Sequence, residues 1–511
     1  MSHKPGKKFG KGKNMDIRPY MAKFGFGRAY SRLIIIEQDG KLWLAFASEG
    51  AGTFMMSSDS LSAGLLEINL MHNGESAPYT YDVSESMLRI SSEHGKVSVV
   101  VDVEAGALRF EGEGAALRFD SKNTEQSTSN LNRKNGTVVS MGGGRFFFTA
   151  RRGTISFDDT WILNRFRSVP PLLDAAPDGG KIELIVYDLP TDTDAPEITK
   201  PIDQCAEENA ADFKSFSGKL VATPAEWDDV REKIAYLMWI NQRKINGKDV
   251  ILANKLRSAD LSPVKLSVAS MALTDATYAA DMITAAESVS PAAQATAILR
   301  LFEEGLFKKV SRKTVFDLFR AMYDHEAWWT KERTDGSLSL YYYAYRYEAG
   351  APANALFASG SPVFSPDICT YMILASKALA KLGEFTGNSA EAAKWNMRAG
   401  EQLDALLKNL WDGDKFVGKN TFTGELAEAD ESIANTPLML GADLPKDISE
   451  KLAARVNGGA DAVLNISGLY RAGYEKQAAN IVTAELEKAR EAGIDDTYYG
   501  AALLALAHIV L

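Results

Sequence analysis

Cysteine is nearly absent. The 511 residues carry only Cys205 and Cys369, far apart in the chain. Two such residues build neither a disulfide framework nor a cysteine zinc site. Five scattered histidines argue equally against a His-rich metal centre. A basic excess is missing too: 57 Lys+Arg stand against 67 Asp+Glu, so the formal net charge is 57 − 67 = −10. An acidic surface repels phosphate, which argues against a nucleic-acid partner. No hydrophobic run is long. The most apolar stretch, AALLALAHIVL at 501–511, is too short to span a bilayer and reads as a buried terminal helix. Residues 1–14 are basic and Gly-rich with no apolar stretch directly after them. That pattern predicts a disordered tail rather than a secretory signal. The expectation is a cytoplasmic protein with no membrane partner.

What is present is ordinary globular material, 46% hydrophobic and 24% charged. It offsets the entropy of ordering and suffices for two domains with separate cores. Two periodicities divide the chain. Residues 31–48, SRLIIIEQDGKLWLAFAS, are two apolar runs around Gln38-Asp39-Gly40, a hairpin signal. Residues 87–119, 143–157 and 181–189 repeat short alternating runs broken by Gly-containing turns. Many short strands predict an antiparallel sandwich over 15–222.

Near Thr223-Pro224 the period becomes helical. Thr223 is a suitable N-cap, Pro224 suits the first turn, and Trp227, Val230, Ile234 and Met238 recur at helical spacing. Segments opening on Ser262, Asp275, Ser290, Ser311, Ser365, Ser389 and Asp495 each carry an apolar stripe, as does 474–493. About a dozen helices with short links predict antiparallel hairpins over 223–511. The fold class is multidomain β + α: an N-terminal antiparallel β-sandwich followed by an (α/α)6-type helical barrel. Loops at one end of such a barrel form a pit, the default ligand site.

Individual residues now carry a resemblance. Ser365-Pro366-Asp367 opens one helix, Leu382-Gly383 closes it, Trp395 lies in the next, and Leu410-Trp411-Asp412 follows. This pattern is similar to a segment of the six-hairpin glycosidases, trehalases and family 63 α-glucosidases above all. Residues 273–289 resemble a helix start of the same families, and 497–509 resemble their closing helix. The resemblance covers roughly the last 270 residues; Gly27–Phe46 is only loosely like the sandwich of related glycosidases. It implies a carbohydrate-active enzyme that hydrolyses a small glucoside or disaccharide with inversion. One carboxylic acid protonates the leaving oxygen and a second carboxylate activates water. No cofactor is implied, and the partner is a small carbohydrate. A homo-oligomer stays open.

The catalytic motif departs from the pattern. The family acid lies in a Glu-Ser-Gly-Trp/Met-Asp-Asn-Ser loop, against Glu348-Ala349-Gly350-Ala351-Pro352-Ala353-Asn354 here. Glu348 and Gly350 match, but Pro352 stands where the Asp is expected and cannot transfer a proton. The family base is a Glu before the final helix; Glu491, Asp495 and Asp496 lie there. One half of the carboxylate pair is therefore missing or moved.

Each candidate has a plainer role beside the catalytic one. Glu348 among aromatics is an acid or a group that holds its loop. Asp260 is a displaced acid, a sugar ligand, or a turn carboxylate before a helix. Arg257 binds substrate or pairs with an acid. Of Glu491, Asp495 and Asp496, one supplies a base or a sugar ligand, or two simply favour the helix N-terminus electrostatically. Trp328, Trp329, Tyr343, Tyr345 and Tyr498, with Asn354, offer faces and polar tips for a sugar, or pack the core. Asp412 and Asp414 in WDGDKF fail the EF-hand pattern, with Val417 at its glycine position, and read as a turn. Gly142–Gly144 lacks a P-loop lysine and is also read as a turn. Two other classes compete: a barrel that binds sugar without hydrolysing it, which Pro352 favours, and a lyase using a Tyr. The barrel is compact for this superfamily, so a lost helix or a widened opening is expected.

Overall fold

A computed structural model describes residues 15–47, 64–121, 129–133, 136–141, 144–158, 172–189, 194–257, 261–286, 293–334, 339–349, 355–358, 360–458 and 463–511. The described residues fall into two compact units, one ending at Lys214 and one running from Ser215 to Leu511. The division lies earlier than the expected boundary at 222, inside a helix.

The first unit is a β-sandwich. One antiparallel sheet has the spatial order Leu33–Gln38, Lys41–Phe46, Leu66–His72, Ala116–Asp120, Leu172–Ala176, Thr154–Asp158, with Glu75–Ala77 beside the third strand. The other runs Ser129–Arg133, Gly136–Met141, Gly144–Arg152, Lys181–Asp188, Ala107–Glu113, Lys96–Asp102, Leu88–Ser91, Thr80–Val83. The predicted hairpin forms: Gln38 pairs with Lys41, and Asp39 and Gly40 both take positive φ, the two-residue turn whose twist matches the strands. Alternation buries one face of each strand, as in Leu88 and Ile90 against exposed Arg89 and Ser91. The buried faces meet in a phenylalanine cluster. Phe46 stacks on Phe146 at 4.2 Å, and Phe119 touches Phe148 at 5.1 Å and Phe110 at 5.6 Å.

Helix α1, Ile202–Ser217, follows. The strand pattern ends at Asp188, so this helix is a difference from the expected run of strands to about 220. Ile202, Cys205, Phe213 and Phe216 are its buried apolar side chains. Asn209 is buried with them and donates to the Val101 carbonyl at 3.0 Å.

The second unit is six helical hairpins. Its helices are α2 Asp228–Ile240, α3 Pro263–Ser270, α4 Ala276–Ala285, α5 Gln294–Glu303, α6 Arg312–Glu332, α7 Pro366–Thr386, α8 Ser389–Leu410, α9 Glu431–Asn435 with a 3-10 extension Thr436–Asp443, α10 Lys446–Ala453, α11 Val463–Arg471, α12 Glu475–Ala492 and α13 Thr497–Val510. Packing arranges them as two rings. Each of α3, α5, α7, the α9 extension, α11 and α13 packs on the next, and α13 packs back on α3. The even-numbered helices lie outside them. The inner helices are apolar nearly all round, as in α7 and α13, whereas outer α8 and α12 bury one stripe. Among the described residues six pairs close the ring, so of the two expectations, a lost helix or a widened opening, the first is not met; several inner helices are short.

Capping sets the helix starts. Asp275, Ser311 and Asp496 accept backbone N–H bonds at α4, α6 and α13, as does Asn388 at α8. Gly387 at φ 79° ends α7. Thr223 does not cap α2: Pro224 precedes a 3-10 turn, Ala225–Trp227, and the helix begins at Asp228.

Candidate active site

The two ends of the barrel differ. Links from inner to outer helices are short, such as Gly387-Asn388 between α7 and α8. Three of the links from outer to inner helices, 241–262, 333–365 and 411–430, are far longer than any of these. The long loops all meet the N-termini of the inner helices. That end is therefore the mouth, and aligned peptide dipoles give it positive potential that favours carboxylates.

The α6–α7 loop carries most of the nominated aromatics. It is built on a small sheet: Tyr342–Tyr343 pairs with Val363–Phe364, which pairs with Gly418–Asn420, which pairs with Leu426–Ala427. Glu348 sits in a 3-10 turn, Arg346–Ala349. Its Oε1 accepts from Arg333 Nε at 3.0 Å and Nη2 at 2.6 Å, and its Oε2 accepts from the Ala344 N–H at 2.6 Å. The Arg333 guanidinium also lies 4.9 Å over the Trp328 ring. Glu348 raises the Arg333 pKa, chiefly by hydrogen bonding. In this arrangement Glu348 is an ion-paired acceptor that ties its loop to the end of α6. Arg333 escaped the sequence reading, and no local spacing marks it as the partner of Glu348.

Trp328 meets Trp329 edge-on at 5.2 Å, and Trp329 meets Tyr343 at 6.0 Å. Trp329, Tyr341 and Tyr343 are fully buried, so they form the wall behind the mouth, while Tyr345 is 65% exposed. Tyr343 donates to Asp367 Oδ2 at 2.9 Å, and Ser365 donates to Oδ1. Asp367 lies in the first turn of α7. Burial raises its carboxyl above the usual aspartate range, although both hydroxyls oppose the shift. Burial also pushes the Tyr343 hydroxyl up, and the Cys369 thiol to about 12. Asp367 was visible in the sequence as part of Ser-Pro-Asp; its burial beside a tyrosine was not.

A second network joins α13 to the α2–α3 loop. Buried Asn241 donates to Leu237 O at 2.9 Å and Thr497 Oγ1 at 3.0 Å, and accepts from the Lys255 N–H at 2.8 Å. Thr497 N donates to Ala253 O at 3.3 Å. Asp496 caps α13 through the Tyr499 N–H at 3.0 Å. Tyr498 is buried behind it, Glu491 is exposed in the last turn of α12, and Arg257 is exposed with its N–H on Asn254 O. Asp260, Pro352 and Asn354 lie outside the described residues. The WDGDKF segment is the expected turn: Asp412 Oδ1 accepts from the Asp414 and Lys415 N–H groups, each at 2.8 Å. In the Gly142–Gly144 segment only Gly144 is described, paired with Met141.

Several acceptors at the mouth end have no hydrogen-bond partner. They are Gln294 Oε1 and Thr296 Oγ1 in the first turn of α5, Asp430 Oδ2 at the start of α9, and Asn435 Oδ1 at its end. Buried polar atoms are normally satisfied, and a sugar supplies hydroxyl donors. None of these four was singled out from the sequence, since isolated Gln, Thr, Asn and Asp residues have no distinguishing spacing. Among the described residues no group of three or more His, Cys, Asp or Glu side chains is placed to hold a metal ion.

Residues 267–462 match the family model of the mannosylglycerate hydrolase MGH1-like glycoside hydrolase domain. That stretch lies within the helical unit. A bacterial glucoamylase solved with acarbose is similar over 98% of this chain and 96% of its own, at TM-score 0.59 and 11% identity. That likeness runs through both units and shows the fold: sandwich first, six-hairpin barrel second. A family 63 mannosylglycerate hydrolase from Thermus thermophilus, solved with Tris, covers 54% of this chain and 99% of its own at TM-score 0.43 and 14% identity. No curated protein matches the chain at a significant level.

Proposed function

We propose that this protein is a glycoside hydrolase that acts on a small glycoside, a glucoside or disaccharide, at the mouth of its barrel. The match of residues 267–462 to a glycoside hydrolase domain carries the reading. Hydrolysis with inversion requires an acid to protonate the leaving oxygen and a base to activate water, with carboxyl groups about 6.5–9.5 Å apart. Asp496 and Glu491 supply the base side. Glu348 or Asp260 supplies the acid side, and Asp367, whose pKa burial raises, joins them as a candidate. Two buried, unpaired cysteines fit a reducing cytoplasmic location, which we propose with the activity.

One observation favours a second reading, a barrel that binds sugar without cleaving it. Glu348 is held by Arg333 and by a backbone N–H, a role that needs the carboxylate ionised. The test is a mass-spectrometric screen of the purified protein against α- and β-glucosides, disaccharides, short glucans and mannosylglycerate. Asp496→Asn and Glu348→Gln are run in parallel. Turnover abolished by one substitution, with an anomer inverted by NMR, supports hydrolysis. A retained anomer sinks the inverting mechanism. Ligand-dependent thermal stabilisation without product selects the binding reading.

A further inference from the structure

The two most exposed large apolar side chains among the described residues are Tyr347, at 85%, and Phe422, at 83%. They belong to different loops, yet one small sheet joins those loops. Tyr343 pairs with Val363, and Val363 pairs with Asn420. The Thr421 N–H bonds Pro362 O at 3.1 Å and carries the second ladder one residue further. Tyr345 follows the first of these strands in a bend, and Phe422 follows the third in the turn 421–423. Tyr347 follows Tyr345 in the 3-10 turn that holds Glu348.

Both loops are rigidly set. Glu348 pins the first through Arg333 and the Ala344 N–H. In the second, Asn420 Oδ1 accepts from Phe422 N at 2.9 Å and Thr423 N at 3.0 Å, and Gly424 takes positive φ. Such pinning leaves Phe422 displayed to water without conformational freedom to hide it. Exposed rings cost hydration free energy, and a patch of them normally marks a ligand surface. Around them lie Ser361, Arg346, Thr423 and Glu425, polar groups suited to hydroxyls.

We infer that Tyr345, Tyr347 and Phe422 form an aromatic platform on the rim of the mouth. It holds further sugar units of a linear oligosaccharide whose end occupies the barrel. This rests on the carbohydrate reading above and extends it from a disaccharide to a glycan of three or more units. The occupant is argued from continuity: the loop that carries Glu348 also carries two of the three rings. Flat apolar rings suit the C–H faces of pyranoses.

The experiment is calorimetric titration of the full-length protein with linear α-1,4- and β-1,4-glucose oligomers of two to six units. The variants are the double Tyr347→Ala/Phe422→Ala and, as a control on the outer face of α6, Phe316→Ala, whose ring is also exposed. Melting curves confirm that each variant folds. The platform predicts affinity that rises with length in the parent and in Phe316→Ala, and flattens in the double variant. Affinity independent of length, or an equal loss for dimer and hexamer, overturns it. Self-association abolished by the double variant, with no glycan binding, also overturns it and assigns the rings to a protein contact. Length-dependent binding without any hydrolysis keeps the platform and removes the hydrolase. Hydrolysis of dimers without length dependence does the reverse.

Discussion

Glu348 shows how one side chain is recast by its partner. As a residue in an aromatic, glycine-rich loop it suits a proton donor, but the Arg333 guanidinium and a backbone N–H occupy both oxygens. Removing the charge leaves Arg333 half-buried without its partner. Glu348→Gln should lower unfolding free energy by about 1–3 kcal/mol, read by urea titration; an unchanged midpoint would contradict the pinning role. Asp367 gives a pH signature. The unfolded chain releases its proton near pH 4, whereas burial makes the folded chain release it at higher pH. The folded state then binds more protons in between, and stability falls as pH rises through that window. Asp367→Asn lacks the fall, so the stability of wild type relative to the variant should decline from about pH 4 upward. A flat difference would sink the assignment. Neither Arg333 nor the Tyr343–Asp367 bond was legible in the chain, because the partners lie 15 and 24 positions apart with loop between them.

Elements were more legible than sites, since helix signals act within a turn or two. Asp275 and Ser311 were readable as helix openings for that reason, whereas the last helix was expected to open on Asp495 and is capped by Asp496. Helix α1 was not legible, because its buried Asn209 breaks the apolar stripe and finds its acceptor in a distant strand. Asp496 allows capping and catalysis to be separated. Asn caps as well as Asp, whereas Ala costs about 0.5–2 kcal/mol. Asp496→Asn should therefore keep the melting temperature and Asp496→Ala lower it; activity lost in the Asn variant alone identifies a chemical role. The ring closes where α12 meets α2: Arg490 pairs with Asp229 at 2.7 and 2.9 Å and lies 4.4 Å over Trp227. Hydrogen bonding to Arg490 holds the Asp229 carboxyl below its ordinary value. The contribution of this pair is thus present above about pH 4 and lost as pH falls through the lowered value. The melting difference between wild type and Arg490→Ala should shrink on acidification, and a constant difference would point to ring packing alone.

At the scale of the molecule, two units with separate cores should unfold in separable calorimetric steps. Phe146 packs between the sheets on Phe46, so Phe146→Ala should cost the sandwich about 3–5 kcal/mol and leave the barrel step in place. A single merged transition shifted as a whole would contradict independent cores. Period-two alternation before Asp188 and period-3.6 stripes after Thr223 were enough to order sandwich before barrel, because burying one face of an element is a local property of its residues. The Ser-Pro-Asp and Leu-Trp-Asp segments added the kind of barrel. Tertiary structure alone decided which polar groups meet at its mouth. Asn241 reaches Thr497 across 256 positions, and Tyr342–Tyr343 and Gly418–Asn420 flank one strand only when the small sheet forms. Side-chain chemistry depends on through-space partners a few ångströms away, and in a ring of six hairpins those partners come from the whole length of the chain.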